Sequence, residues 1–142
     1  MKSIKTYLAI ILAILTFASC KKQTYLDLSG TYIIKSGESS SIPKDRNLIT
    51  VTASDFADSR CPINADCVWQ GVGTLKIKFN DDHKEQNIEL CIGACEIVSK
   101  SKSQDITLNN INYTIELTEL SPYPGTGTSS SIKQATIILK RK

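Results

Sequence analysis

Thr74-Leu75-Lys76-Ile77-Lys78-Phe79 alternates without a break, with Leu75, Ile77 and Phe79 on one face and Thr74, Lys76 and Lys78 on the other. A period of two marks a strand with one face on a core and the other in water. The same period returns in Tyr113-Thr114-Ile115-Glu116-Leu117-Thr118 and continues through Glu119 to Leu120. Such half-buried strands belong to antiparallel sheets, because parallel sheets are covered on both faces and read as continuous apolar runs. Weaker strand candidates are 31–35, 48–53, 88–92, 106–108 and 132–140; in the last, Ala135, Ile137 and Leu139 share a face. Turn residues separate them: Asn80-Asp81-Asp82-His83 lies between two candidates, and Asn109-Asn110 suits a tight turn with positive φ. Residues 36–46, with Pro43, read as a polar loop, and 121–131 (SPYPGTGTSSS) as a long connection. No segment after residue 20 keeps a helical period over three turns. The pattern predicts an all-β protein: a single antiparallel β-sandwich, immunoglobulin-like, or a small barrel, of seven or eight strands.

A length of 142 residues fits one such domain plus a targeting segment. Lys and Arg number 17 against 14 Asp and Glu, a net charge of +3, and removal of Lys2 and Lys5 with a leader leaves 15 against 14. That near balance, without a basic stripe, argues against a nucleic-acid partner. Lys2 and Lys5 precede an uncharged apolar run of eleven residues, 7–17 (YLAIILAILTF). A bilayer span needs about 20 apolar residues, so the run predicts a signal peptide. An ordinary signal peptidase cutting after Ser19 would meet bulky Phe17 three places back, where it requires a small residue. Phe17-Ala18-Ser19-Cys20 instead resembles a bacterial lipobox, with Phe17 in place of the usual Leu. That resemblance implies cleavage before Cys20 and its lipidation. The expected layout is then 1–19 signal peptide, 20–29 lipidated N-terminus and tether, and 30–142 sandwich domain. The protein is expected to be exported and held at the cell membrane or outer membrane by acyl chains, without spanning it.

Five Cys are an odd number, and assigning Cys20 to lipid leaves Cys61, Cys67, Cys91 and Cys95 as an even set in an exported chain. Four Cys allow three connectivities. A straight strand would hold Cys91 and Cys95 about 13 Å apart, beyond disulfide reach, but Ile92-Gly93-Ala94 can reverse the chain because Gly93 tolerates positive φ. Pro62 and Asn64-Ala65-Asp66 likewise suit a closed loop between Cys61 and Cys67. Two local bridges are therefore favoured, with crossed pairing of the two segments as the alternative. A four-thiolate zinc site is the competing chemistry, but a C-x5-C and a C-x3-C do not match its usual C-x2-C spacing.

The catalytic inventory is thin. His83 is the only His, within Asp81-Asp82-His83-Lys84-Glu85, where it could ligate a metal with the carboxylates or tip a charged hairpin. No Ser lies in a G-x-S-x-G turn, and there is no P-loop or dinucleotide fingerprint.

The most specific stretch is Asp58-Ser59-Arg60-Cys61-Pro62-Ile63-Asn64-Ala65-Asp66-Cys67-Val68-Trp69-Gln70-Gly71. It resembles the D-S-R-C-P, then C-V-W-A-G signature of a family of small bacterial exported proteins and lipoproteins with no assigned activity. In that family a strand follows the Gly, a place filled here by Val72 onward; Gln70 replaces the family's Ala. Leu120-Ser121-Pro122-Tyr123-Pro124 is similar to the family's apolar-x-P-x-P turn before the last strand. The resemblance implies export and a β fold; the Cys91 and Cys95 pair is outside its signature. Trp69, two residues beyond Cys67, is expected either to cover the disulfide as core or, with Tyr123, to form a recognition surface. The functional expectation is a lipid-anchored, non-catalytic binding or accessory module of the cell envelope. Its partner would be an envelope protein or glycan, and it would need no cofactor. The alternatives are a disulfide-stapled inhibitor of an extracellular hydrolase, and a hydrolase or metal enzyme using His83.

Overall fold

The computed structural model describes residues 26–46, 48–81, 84–126 and 131–142. Cys20, the signal peptide and His83 lie outside the described residues. Among the described residues there are eight strands: β1 (Gly30–Lys35), β2 (Ser39–Ile42), β3 (Ile49–Asp58), β4 (Val72–Asn80), β5 (Glu85–Gly93), β6 (Ser103–Leu108), β7 (Ile111–Ser121) and β8 (Gln134–Arg141). They form two four-stranded sheets, ordered β1-β8-β7-β6 and β2-β3-β4-β5, with every neighbouring pair antiparallel. This is the expected sandwich, and the sheets do not close into the alternative barrel. Connections run up and down within each sheet, and the chain changes sheet only between β1 and β2 and between β5 and β6.

The alternation seen in the sequence becomes the burial pattern. Leu75, Ile77 and Phe79 of β4 meet Tyr113, Ile115 and Leu117 of β7 within one core that also holds Ile34, Val51, Leu90, Ile137 and Leu139. Tyr113 is the largest fully buried side chain, and its hydroxyl accepts the Leu28 N–H at 3.2 Å. A buried phenol needs such a partner. Asn109 and Asn110 both adopt positive φ, of 48° and 63°, which matches the right-handed twist of the β6–β7 hairpin they close.

Three boundaries differ from the sequence reading. Ser39–Ile42 is a strand, although 36–46 reads as a loop: three serines offer no apolar alternation, and the pairing with β3 and the burial of Ile42 decide the conformation. β3 runs to Asp58, past a register shift between Ser54 and Ala57, where Asp55 takes φ 53°. Leu28 is buried in the core, so the domain begins before Gly30 and takes the last residues of the expected 20–29 tether.

The molecule has two poles. Asn109 donates its N–H to Asp81 Oδ2 at 2.9 Å, which brings the β6–β7 and β4–β5 turns together at the end where β1 begins. At the opposite end lie the segments 59–71, 94–102, 121–126 and 131–133.

Candidate functional site

Both disulfides form, and both are local: Cys61–Cys67 and Cys91–Cys95, with Cα separations of 5.9 and 5.6 Å. They place the chain in an oxidising environment. The two bridges lie at the same pole and meet at Gly71. Its carbonyl accepts the Ala94 N–H at 3.0 Å, and a Cβ on Gly71 would fall 2.1 Å from the Ser59 carbonyl oxygen at φ +71°. No other residue fits there. Gly93 is confined in turn, since a Cβ on it would come within 2.6 Å of that Gly71 oxygen.

Arg60 organises the pole. It is 7% exposed, and its guanidinium is held on three sides. Nε and Nη2 donate to the two carboxylate oxygens of Asp58 at 2.9 and 2.6 Å, and Nη2 also donates to the Leu120 carbonyl at 2.7 Å. The ring of Tyr123 lies under the guanidinium carbon, 4.4 Å away. Planar, delocalised Arg satisfies a fork of acceptors and a stacked ring at once, which Lys cannot. The room it occupies exists because Gly73 has no side chain: a Cβ there would stand 2.7 Å from Leu120 Cδ1 and 3.4 Å from Arg60 Nε. Asp-x-Arg, the Gly-x-Gly of 71–73 and the Leu120–Pro124 turn are thus one interlocked unit.

That unit fixes the loop between the half-cystines. The Cys61 N–H donates to the Gln70 carbonyl at 3.1 Å, and the Ile63 N–H donates to the Pro124 carbonyl, also at 3.1 Å. Gly125, at φ +87°, closes a turn in which the Thr126 N–H bonds the Tyr123 carbonyl at 3.0 Å. On this scaffold the sequence exposes apolar side chains: Ile63, Val68 and Trp69 are 71%, 105% and 66% accessible, and Tyr123 is 40% accessible. Trp69 is therefore not part of the core. The segment 68–69 is a bend, and the strand starts only at Val72, beyond the positive-φ Gly71, so the period-two argument from Cys67 does not apply. Gln70, where the resembled family has Ala, is exposed.

Groups with displaced pKa values lie on the sheet faces and at the other pole. Hydrogen bonding from Lys100 lowers the pKa of Glu89, as Lys102 and Lys140 do for Glu116, and Asp55 raises that of Lys76. Among the described residues no group of three His, Cys, Asp or Glu side chains is placed to hold a metal. A shallow cleft of about 190 Å³ beside the pole, between Phe56, Leu120 and Pro122, offers mainly apolar walls. Arg60 is the functional-site residue that sequence reasoning quoted without assigning a role; its signal is the Asp two positions earlier, on the same side of an extended chain.

No protein-family model matches the chain, and no curated protein or solved structure matches it.

Proposed function

We propose that this chain is a lipid-anchored, non-catalytic binding module of the cell envelope that presents residues 59–71 and 121–126 to an envelope protein or glycan. The observation that carries the reading is the set Ile63, Val68, Trp69 and Tyr123, solvent-exposed on loops made rigid by a disulfide and by the Arg60 clamp. Rigid aromatic and aliphatic anchors bind at low entropic cost, because little is left to order on association. The leader and the lipobox-like Phe17-Ala18-Ser19-Cys20 support attachment through the N-terminus. β1 enters at the pole opposite these loops, so attachment there directs them outward.

Trp69 is the sole Trp, so its fluorescence reports the site directly. Titration with envelope glycan fragments and envelope protein extracts is expected to give a saturable blue shift that Val68→Ser and Tyr123→Ala weaken. Equal response from wild type and both variants would overturn the reading. Attachment is checked separately by intact mass of membrane-extracted protein, with Cys20→Ala as the unacylated control.

A second reading, an inhibitor of an extracellular hydrolase, draws on Ile63 alone. It projects from a short loop closed between half-cystines, a shape suited to entering an enzyme cleft. Inhibition of an extracellular hydrolase that is lost in Ile63→Asp, with Trp69 fluorescence unchanged, would favour it.

A further inference from the structure

The two lateral seams of the sandwich are built differently. On the β5/β6 side the sheets are stitched together: Leu90 and Ser101 form a bridge, and the Cys91 N–H donates to the Ser101 carbonyl at 3.1 Å. The Gln86 side chain also bonds both backbone groups of Thr107, donating to its carbonyl and accepting its N–H. On the β1/β2 side one bridge, Ser36 to Ala53, marks the end of an open cleft of about 680 Å³ between the two edge strands.

The register identifies the backbone groups that face this opening. The Ser36 N–H donates to the Lys133 carbonyl at 2.8 Å, extending the β1–β8 ladder by one hydrogen-bonded pair. Bonded and non-bonded pairs alternate in an antiparallel ladder, so Gly30, Tyr32 and Ile34 bond to β8. Thr31, Ile33 and Lys35 then turn their N–H and C=O groups away from it. The Lys35 carbonyl accepts the Glu38 N–H at 3.3 Å, whereas those of Thr31 and Ile33 meet no other described residue. The side chains of these three residues are exposed, and Ile33 is 61% accessible. Ile33 sits opposite Thr136 and diagonal to Ile138, an apolar spot at the margin of an otherwise polar face. Edge strands are normally blunted by Pro, a bulge or a central charge, and the middle of β1 has none of these.

We infer that β1 pairs antiparallel with β1 of a second copy of this chain, about a two-fold axis at Ile33, joining two four-stranded sheets into one of eight. In that register Ile33 meets its own symmetry mate, and Thr31 meets Lys35 in both directions, so no like charges oppose. Ile33, Ile138 and their mates form one apolar cluster, and the outward N–H and C=O groups of Ile33 and Thr31 gain partners. A shift of two residues sets Ile33 against Thr31 or Lys35 and breaks up the cluster. The contact is isologous and closes at two, leaving no free β1 edge. The loops 59–71 and 121–126 lie at a pole outside it.

Sedimentation of the full chain over a range of concentrations should show a monomer–dimer equilibrium, with the Ile33 and Thr31 amides exchanging more slowly as dimer fills. Ile33→Lys should weaken association at least about tenfold while leaving circular dichroism unchanged, because like charges then face each other across the axis. Ile33→Cys should cross-link spontaneously, since bonded pairs hold Cα atoms about 5.5 Å apart, within disulfide reach. Lys78→Cys, on the other sheet, should not. Monomer at every concentration with concentration-independent exchange at Ile33 would overturn the inference, as would a dimer that Ile33→Lys leaves intact. Should Ile33→Lys fail to fold, the exchange and cross-linking results decide.

Discussion

The two disulfide-bearing segments share a pole and an anchor, Gly71, yet use it in opposite ways. Cys91 is fully buried at the end of β5, and its bridge to Cys95 turns the chain into a single 3-10 turn, Cys95–Val98, beside the core. Cys67 is exposed, and its bridge to Cys61 holds a loop whose largest side chains face water. One bridge terminates a strand; the other holds a surface open. The comparison teaches that short disulfides of nearly equal loop length differ in role according to what their neighbours bury, and here the neighbour that matters is Arg60.

The sharpest way to break the comparison is to remove that neighbour. Arg60→Ala leaves Asp58 Oδ2 and the Leu120 carbonyl without their donor in a largely buried position, while the residue-60 N–H still bonds Asp58 Oδ1, and is expected to cost about 3 kcal/mol, measured by urea unfolding. Trp69 emission and proteolysis near residue 63 should change more than any signal from 93–98. Equal loosening of both segments would mean that Arg60 supports the whole pole rather than one loop.

The bridges themselves come next in size. By chain entropy each loop contributes roughly 2 kcal/mol, so the paired change Cys61→Ala with Cys67→Ala should lose about that much. Cys91→Ala with Cys95→Ala should lose about 1 kcal/mol more, because Cys91 also leaves a gap in the core. Mild dithiol treatment followed by mass mapping should open Cys61–Cys67 first, since exchange requires access to a sulfur. Simultaneous reduction would deny the difference in burial.

The smallest expected effect concerns the sheet faces, outside both segments. The folded-state pKa values of Glu89, Asp105 and Glu116 are lowered by hydrogen bonds from Lys100, Lys142 and Lys102. Such groups add stability above their unfolded pKa values, near 4.5 and 3.8, and lose it as pH falls through the lowered ones. Lys76, raised by Asp55, acts in the other direction and loses its contribution as pH rises past 10.5. Glu89 and Asp105 are exposed and Glu116 and Lys76 only half-buried, so the acid-side loss of Tm should be small and shrink in added salt. A salt-independent acid transition would mean that these pairs do not set the acid limit.

The fold was legible wherever one face of a strand is apolar, as at 74–79 and 113–120, because a period of two survives any tertiary context that buries one side. Ser39–Ile42 was not, since serines reveal no face and only the β3 partner makes that segment a strand. The two local disulfides were legible from chain geometry, because short spans with Pro62 or Gly93 can reverse. The exposure of Trp69 was one of two readings that the sequence left open, and the bend at 68–69 before the positive-φ Gly71 decides between them.

The sequence by itself determined the all-β class and the turn residues and favoured, against crossed pairing, the two local bridges, because these arise from interactions within a few positions along the chain. The tertiary structure alone decided that Arg60 is buried between Asp58, Leu120 and Tyr123, that one cysteine loop faces solvent, and that one seam is stitched while β1 stays open. The Arg60 clamp, for one, joins groups 60 residues apart, which come within hydrogen-bond reach only through the packing of the two sheets.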